Sequence, residues 1–248
     1  MMTNKVVQFK ILKFRLRQTL VNRIGLLSPH FKCSKTKRIL FISHECPIAQ
    51  TQLFPFFFYE QALSKQPIAL RELPLNRFKS NQHPYHGHVD VIFLQTWFDY
   101  TNDKMDKLVF SIKQKWPQAK LAYADWFANT DLRYAEVLDK HIDAYLKKTI
   151  VKDFNQYRHS TLGHTLLTDY YNRALGHDDK EFYFKVPENF QEKMFVGKVA
   201  LVLLLLNISC RGFFHHFQRI IIVVLIFMRD LLSQAPHGIK ECARSVLI

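Results

Sequence analysis

The stretch that decides the fold is RILFIS, at residues 38–43. Basic residues precede it, and the polar loop HECP follows it at residues 44–47. A short apolar run without alternation is typical of a strand that is buried on both faces, as in a parallel sheet. Four further segments of strand character follow along the chain, and we expect additional strands at residues 68–73, 88–95, 119–124 and 142–146.

Helical patterns alternate with these strands. In the clearest one, residues 101–116, Thr101 or Asn102 can cap the first turn and Pro117 stops the helix. Weaker patterns predict helices at residues 53–65 and 131–138, and a polar loop is expected at residues 76–87. The alternation predicts an α/β fold class, a Rossmann-like parallel sheet with flanking helices.

Charge and composition divide the chain into three parts. Its 248 residues carry a net charge of +14. We expect a basic arm at residues 1–36, the Rossmann-like domain at residues 37–198 and an apolar helical tail at residues 199–248. The arm contains no acidic residue, which favours an anionic partner, either a membrane surface or an acidic protein, and no specific nucleic acid is predicted. A solvated arm without a dedicated partner and non-specific nucleic-acid binding are the alternatives.

The apolar tail contains two uncharged runs, at residues 199–210 and 220–228. Each is shorter than the ~20 residues of a membrane span, and a joint span would enclose Arg211 or Arg219. A span within residues 199–228, packing on the domain, and a truncated or frame-changed segment remain as alternatives. Because no secretory signal is found in the arm, we expect a cytoplasmic protein, with residues 199–228 as a candidate membrane-associated segment.

Several function classes are excluded by the glycines, of which there are only 7. No GxGxxG, GxxxxGK[ST] or GxSxG motif occurs, which argues against dinucleotide dehydrogenases, P-loop NTPases and α/β-hydrolases. The 4 cysteines form no CxxC pair. The histidines of HxxHxH, His83, His86 and His88, lack a nearby Cys or Glu, so a polar loop is favoured over a zinc site. No metal and no cofactor are predicted.

Candidate functional residues follow the predicted strands, where ligands bind in open α/β sheets. His44 and Glu45 follow the first strand and are the candidate catalytic pair, with His44 as general base beside an acid. An aromatic ring beside a carboxylate or an amide suits a sugar, because the ring stacks on its apolar face while the polar group binds hydroxyls. Alternatively, the tryptophans only cover the end of the sheet. The candidate substrate-binding residues are Gln95, Trp97, Asp125 and Trp126.

Four strings carry a family resemblance: RILFISHE at 38–45, VDVIFLQTW at 89–97, WPQAKLAYADWF at 116–127 and IDAYLKK at 142–148. Together they resemble the N-terminal half of a bacterial GT-B type glycosyltransferase, over about residues 37–198. In that family, this half binds the acceptor, a second Rossmann-like domain binds the nucleotide sugar, and transfer occurs in the cleft between them. The resemblance implies a nucleotide sugar and a glycan acceptor as partners, and it implies that the six candidate residues face the cleft.

Two departures from the family pattern limit what the resemblance implies. The loop after the first strand lacks the glycines of many members, and residues 199–248 occupy the place of the donor-binding half. We therefore expect a glycosyltransferase-like protein that is truncated and inactive alone. The alternative is a non-enzymatic, membrane-associated α/β protein.

Overall fold

The computed structural model describes residues 36–58, 68–81 and 87–196. Within these ranges the strands are β1 Lys37–Ser43, β2 Ile68–Pro74, β3 Val91–Leu94, β4 Lys120–Asp125, β5 Ala144–Lys147, β6 Thr161–Leu162, β7 Glu181–Phe182 and β8 Met194–Val196. The α-helices are α1 Pro47–Phe58, α2 Leu75–Lys79, α3 Asn102–Lys115, α4 Ala135–Asp139 and α5 Leu166–Leu175, with 3-10 turns at Phe154–Arg158 and Glu188–Lys193.

Six strands form one sheet in the order β2-β1-β3-β4-β5-β8. Every neighbouring pair in this sheet is parallel. The predicted α/β class is thereby confirmed: the described residues form a Rossmann-like parallel sheet with flanking helices. The order reverses direction between β1 and β3, which makes that point the topological switch of the sheet. Strands β6 and β7 form a separate antiparallel pair.

Strand β1 lies inside the sheet, between β2 and β3. Its residues Ile39, Leu40, Phe41 and Ile42 are all 0% exposed. The strand is a continuous apolar run because both of its faces are buried, so side chains pointing to either side of the sheet lie in the core. Strands β1 and β3 run parallel, as expected of the predicted parallel sheet, and in their register Ile42 lies opposite Leu94.

Helix α3 matches its sequence pattern closely. Thr101 is its N-cap, and its hydroxyl accepts a hydrogen bond from the Lys104 backbone N–H at 3.3 Å. The buried face consists of the residues at helical spacing, Met105, Leu108, Val109 and Ile112. Capping and amphipathicity are local properties, which explains why this helix could be predicted to within one residue at each end.

Other elements correct the predicted boundaries. Helix α1 begins at Pro47, earlier than the predicted residue 53, because proline suits the first helical position, where no N–H is needed. The expected loop at residues 76–87 is helical over residues 76–79, which belong to α2. The helix predicted at residues 131–138 is confined to Ala135–Asp139. Strand β8 was not predicted at all and extends the sheet beyond β5.

The basic arm at residues 1–36, apart from Thr36, and the apolar tail at residues 199–248 lie outside the described residues, as do residues 59–67. The proposed membrane association of residues 199–228 therefore stays a prediction. In the part of the chain that the structure describes, no helix combines the length and the apolar composition that crossing a membrane requires.

Candidate functional site

A cavity of about 640 Å³ lies at the carboxyl ends of β1, β2 and β3, next to the topological switch of the sheet. This is where open α/β sheets bind their ligands, because two neighbouring loops diverge there and leave a crevice. Its lining comes from the segments that follow these three strands and from helix α3: His44, Glu45, Cys46, Leu75, Asn76, Lys79, Trp97, Asp99, Tyr100 and Lys104.

His44, a predicted catalytic residue, lies in this cavity with its ring stacked on Trp97, the ring centroids 4.9 Å apart. Its Nδ1 accepts a hydrogen bond from the Cys46 backbone N–H at 3.1 Å. Burial lowers the pKa of His44, and the Lys79 charge lowers it further, while the carboxylates of Glu45 and Asp99 oppose the shift. The imidazole is therefore held in its neutral form near pH 7.

The hydrogen bond from Cys46 also selects the tautomer of His44. Because Nδ1 accepts, the proton of the neutral ring is carried by Nε2, which is therefore a hydrogen-bond donor. A donor suits a hydroxyl or phosphate oxygen. Action as a general base would require the other tautomer and the loss of the Cys46 bond. Glu45, the second predicted catalytic residue, is exposed and also lines the cavity. The catalytic roles of both residues stay predictions.

The two predicted tryptophans occupy different positions. Trp97 is partly buried and lines the cavity, whereas Trp126 is 7% exposed and is not among the lining residues. Their ring centroids are 5.4 Å apart, so the buried Trp126 ring packs against the Trp97 ring. The Trp126 indole N–H donates to the Thr96 carbonyl at 3.0 Å. Of the two tryptophans, only Trp97 lines this cavity.

The loop after β3 is fixed by side chains from elsewhere in the fold. The Tyr134 hydroxyl donates to the Trp97 carbonyl at 3.2 Å, and the Arg133 guanidinium donates to the Phe98 carbonyl at 3.3 Å. Arg133 is itself held by Asp131, at 2.7 Å. These contacts hold the backbone carbonyls of the loop, so the loop backbone has little conformational entropy left to lose.

Gln95, a predicted substrate-binding residue, is 0% exposed and does not reach the cavity. Its amide nitrogen donates to the Ala49 carbonyl at 3.0 Å and to Oε1 of Gln52 at 3.0 Å. These contacts join the end of β3 to helix α1. In this conformation Gln95 is a structural residue that positions the loop carrying Trp97.

Asp125, the fourth predicted substrate-binding residue, is also buried, at 1% exposed. Its Oδ2 accepts hydrogen bonds from the Lys147 ammonium at 2.7 Å and the Tyr145 hydroxyl at 2.7 Å. Its Oδ1 accepts from the Phe127 backbone N–H at 2.9 Å. The carboxylate is thus fully engaged within the protein, and it is absent from the cavity lining.

The polar residues Asn76, Lys79, Asp99 and Lys104 of the lining were not among the candidate residues. Asp99 lies two residues beyond Trp97, so the strand-end argument that selected Trp97 applies to it equally. Lys79 belongs to helix α2, which was predicted as loop, and its ammonium lies 4.5 Å from the Tyr100 ring centroid. No sequence signal singled out Lys79 or Lys104.

The buried carboxylate of Glu72 helps to fix the loop that follows β1. The Ser43 hydroxyl and the Gln50 amide, the latter at 3.0 Å, both donate to Oε1 of Glu72. The same Gln50 amide donates to the His44 carbonyl at 2.9 Å. This network connects β2, helix α1 and the loop after β1, and thereby fixes the backbone that carries His44.

Metal ligands can be assessed only for the described residues, where no cluster of three or more His, Cys, Asp or Glu side chains suits an ion. His83 and His86 lie outside the described residues. His88 lies within them and has a hydrogen bond with Asp90 at 3.1 Å.

Comparisons with protein-family models, curated proteins and solved structures found no match.

Proposed function

We propose that the domain binds a glycan in the cavity at the ends of β1, β2 and β3, as the acceptor-side domain of a GT-B type glycosyltransferase. The observation that carries the proposal is the partly buried ring of Trp97, which lines the cavity together with the polar groups of Asn76, Asp99 and Lys79. A ring face beside hydrogen-bonding groups matches a sugar, whose carbon-bound hydrogens stack while its hydroxyls bond.

The size of the cavity and the neutral form of His44 support a glycan as well. A volume of about 640 Å³ lies within the range of small-molecule sites. Neutral His44 offers a donor at Nε2, and the exposed Glu45 offers an acceptor, so both kinds of sugar hydroxyl contact are available. A sugar at this position contacts the side chains that follow two strands on either side of the switch point.

The transferase part of the proposal rests on the motif resemblance and on the confirmed parallel sheet. In such an enzyme the nucleotide sugar is held by a second Rossmann-like domain, and contacts to its diphosphate stabilise the leaving group. The described residues contain one such sheet. We therefore expect no efficient sugar transfer by the purified chain alone. Turnover that is lost in His44→Ala would contradict this expectation and would identify the cavity as a complete active site.

The binding proposal can be tested through intrinsic fluorescence, because the chain has only 3 tryptophans. Trp116 lies away from the cavity, is 4% exposed and donates to the Gly87 carbonyl at 2.9 Å. In a Trp116→Phe background, the emission comes only from Trp97 and Trp126. A panel of mono- and oligosaccharides is titrated, and we expect a saturable change in emission for the cognate glycan.

Isothermal titration of that glycan into two alanine variants then assigns the binding surface. Trp97→Ala should weaken binding by about tenfold or more, the equivalent of losing ~1.4 kcal/mol of stacking. Phe110→Ala is the matched control, since Phe110 is an aromatic residue of α3 that is 62% exposed and lies outside the cavity. Equal affinity of the two variants, or no saturable response to any glycan, would refute the proposed function.

A further inference from the structure

We call the cavity at the carboxyl ends of β1, β2 and β3 the glycan cavity. A second cavity, of about 550 Å³, continues from it along helix α3. The two cavities share Lys79, Tyr100 and Lys104. We call the second one the lysine groove. It is lined by Phe78, Lys79 and Asn81 on one side, by Tyr100 at the junction, and by the α3 residues Lys104, Lys107, Leu108, Ser111, Gln114 and Lys115 on the other.

The charge of the lysine groove is one-sided. Among the residues that the structure describes, four lysines line it and no carboxylate does. Lys104, Lys107 and Lys115 are spaced by three and by eight residues, so the helical repeat brings them to one side of α3. Burial lowers the pKa of Lys115, as expected for an ammonium that is partly withdrawn from water. The ammonium groups of Lys79, Lys104 and Lys107 repel one another across this cavity, and a bound anion would reduce that repulsion.

Hydrogen-bond donors accompany the charges. The side-chain amides of Gln114 and Asn81 line the groove beside the lysines, whereas the Ser111 hydroxyl donates to the Leu108 carbonyl at 2.7 Å. The Tyr100 hydroxyl is buried and has no hydrogen-bond partner within the part of the chain that the structure describes. A buried hydroxyl without a partner is unfavourable, and this one belongs to the residue at the junction of the two cavities. Charge and donors therefore point to the same kind of ligand, an oxyanion with several acceptor atoms.

We propose that the lysine groove binds the phosphate or diphosphate group of a ligand. A phosphate monoester carries about −1.5 to −2 charges and three acceptor oxygens, which matches several ammonium groups and neighbouring donors better than one carboxylate does. Lysine ammonium groups bind phosphate as flexible point charges and need no bidentate geometry. The proposal stands independently of the glycan proposal, since Lys107, Ser111 and Lys115 do not line the glycan cavity.

The test is isothermal titration of sodium pyrophosphate into the full chain and into two charge-matched double variants. Lys107→Gln with Lys115→Gln removes two charges from the groove and leaves the glycan cavity intact. Lys152→Gln with Lys180→Gln removes two charges from residues that line neither cavity. We expect the groove variant to bind pyrophosphate about tenfold more weakly or worse, and the control variant to bind as the native chain does.

Thermal unfolding of both variants checks that each is folded, and flotation with phosphatidylglycerol vesicles distinguishes the source of the phosphate. If pyrophosphate binding and flotation are both lost in the groove variant alone, the ligand is a lipid headgroup. If only pyrophosphate binding is lost, the ligand is a soluble phosphate compound. Equal pyrophosphate affinity of the two folded double variants, or no binding to the native chain, overturns the proposal.

Discussion

Replacing Lys147 with methionine should destabilise the fold by about 3–5 kcal/mol, because it removes one partner of a buried ion pair. The Lys147 ammonium lies 2.7 Å from Oδ2 of Asp125, and both side chains are 1% exposed. Methionine fills a similar volume without a charge. The Asp125 carboxylate would then keep only the Tyr145 hydroxyl and the Phe127 N–H as donors. A domain of this kind has about 5–15 kcal/mol of stability in total, so the loss would be large.

The same pair of strands supplies the control. At the opposite end of β4 and β5, the Lys120 ammonium lies 2.7 Å from Oδ1 of Asp143, the same separation as in the buried pair. The Lys120 side chain is 58% exposed and that of Asp143 is 24% exposed. Lys120→Met should therefore cost about 0–1 kcal/mol, the usual range for an ion pair at the surface. The two variants remove the same group at the same distance and differ in burial.

The assay is equilibrium unfolding in urea, followed by circular dichroism, of Lys147→Met, Asp125→Asn, their combination and Lys120→Met. Because either single substitution at the buried pair leaves a polar group without its partner, the double variant should be more stable than the sum of the two losses predicts. The reasoning is refuted if Lys147→Met costs no more than Lys120→Met, or if the losses from Asp125→Asn and Lys147→Met are additive.

Three further predictions concern local features, and urea unfolding measures each of them. Burial lowers the pKa of His44 below its usual 6.5, so the unfolded chain binds a proton there more readily than the folded chain does. The free energy of unfolding should therefore decline as the pH falls below about 6.5. His44→Asn retains a hydrogen-bond acceptor and should make the free energy of unfolding less dependent on pH in this range. Thr101→Ala should cost about 0.5–2 kcal/mol through the lost cap of α3, while Thr101→Ser should restore most of it. Gly163→Ala should lower the free energy of unfolding more than Gly176→Ala does. Both glycines have positive φ, 84° and 67°. A Cβ added at Gly163 would lie 2.6 Å from the Thr168 hydroxyl oxygen, whereas a Cβ added at Gly176 would have no atom within 4 Å. Equal costs for the two glycine variants would mean that the Thr168 contact relaxes freely.

Local signals were sufficient for the elements that carry the site. The apolar run of β1 and the capped, amphipathic helix α3 were predicted to within a residue or so, since burial on two faces and helical periodicity are written directly into composition and spacing. The strand-end rule then placed His44, Glu45 and Trp97 at one edge of the sheet, and the structure brings all three to one cavity. What these residues do there stays a prediction.

The same rule could not separate the side chains that face a ligand from those that face the protein. Gln95 and Asp125 also follow strands, yet Gln95 reaches back to Ala49 and Asp125 is paired with Lys147. That pairing depends on the register of β4 against β5, in which Asp125 lies opposite Lys147.

The sequence by its local patterns determines the buried parallel strands and the well-capped helix α3, because an apolar run or a helix cap involves only a few neighbouring residues. The tertiary structure decided which strand-end side chains face the cavity, and it added β8, a strand of three residues. It also assembled the lysine groove from two helices that are far apart in the chain. These outcomes depend on contacts between residues tens of positions apart, and no local pattern specifies such contacts.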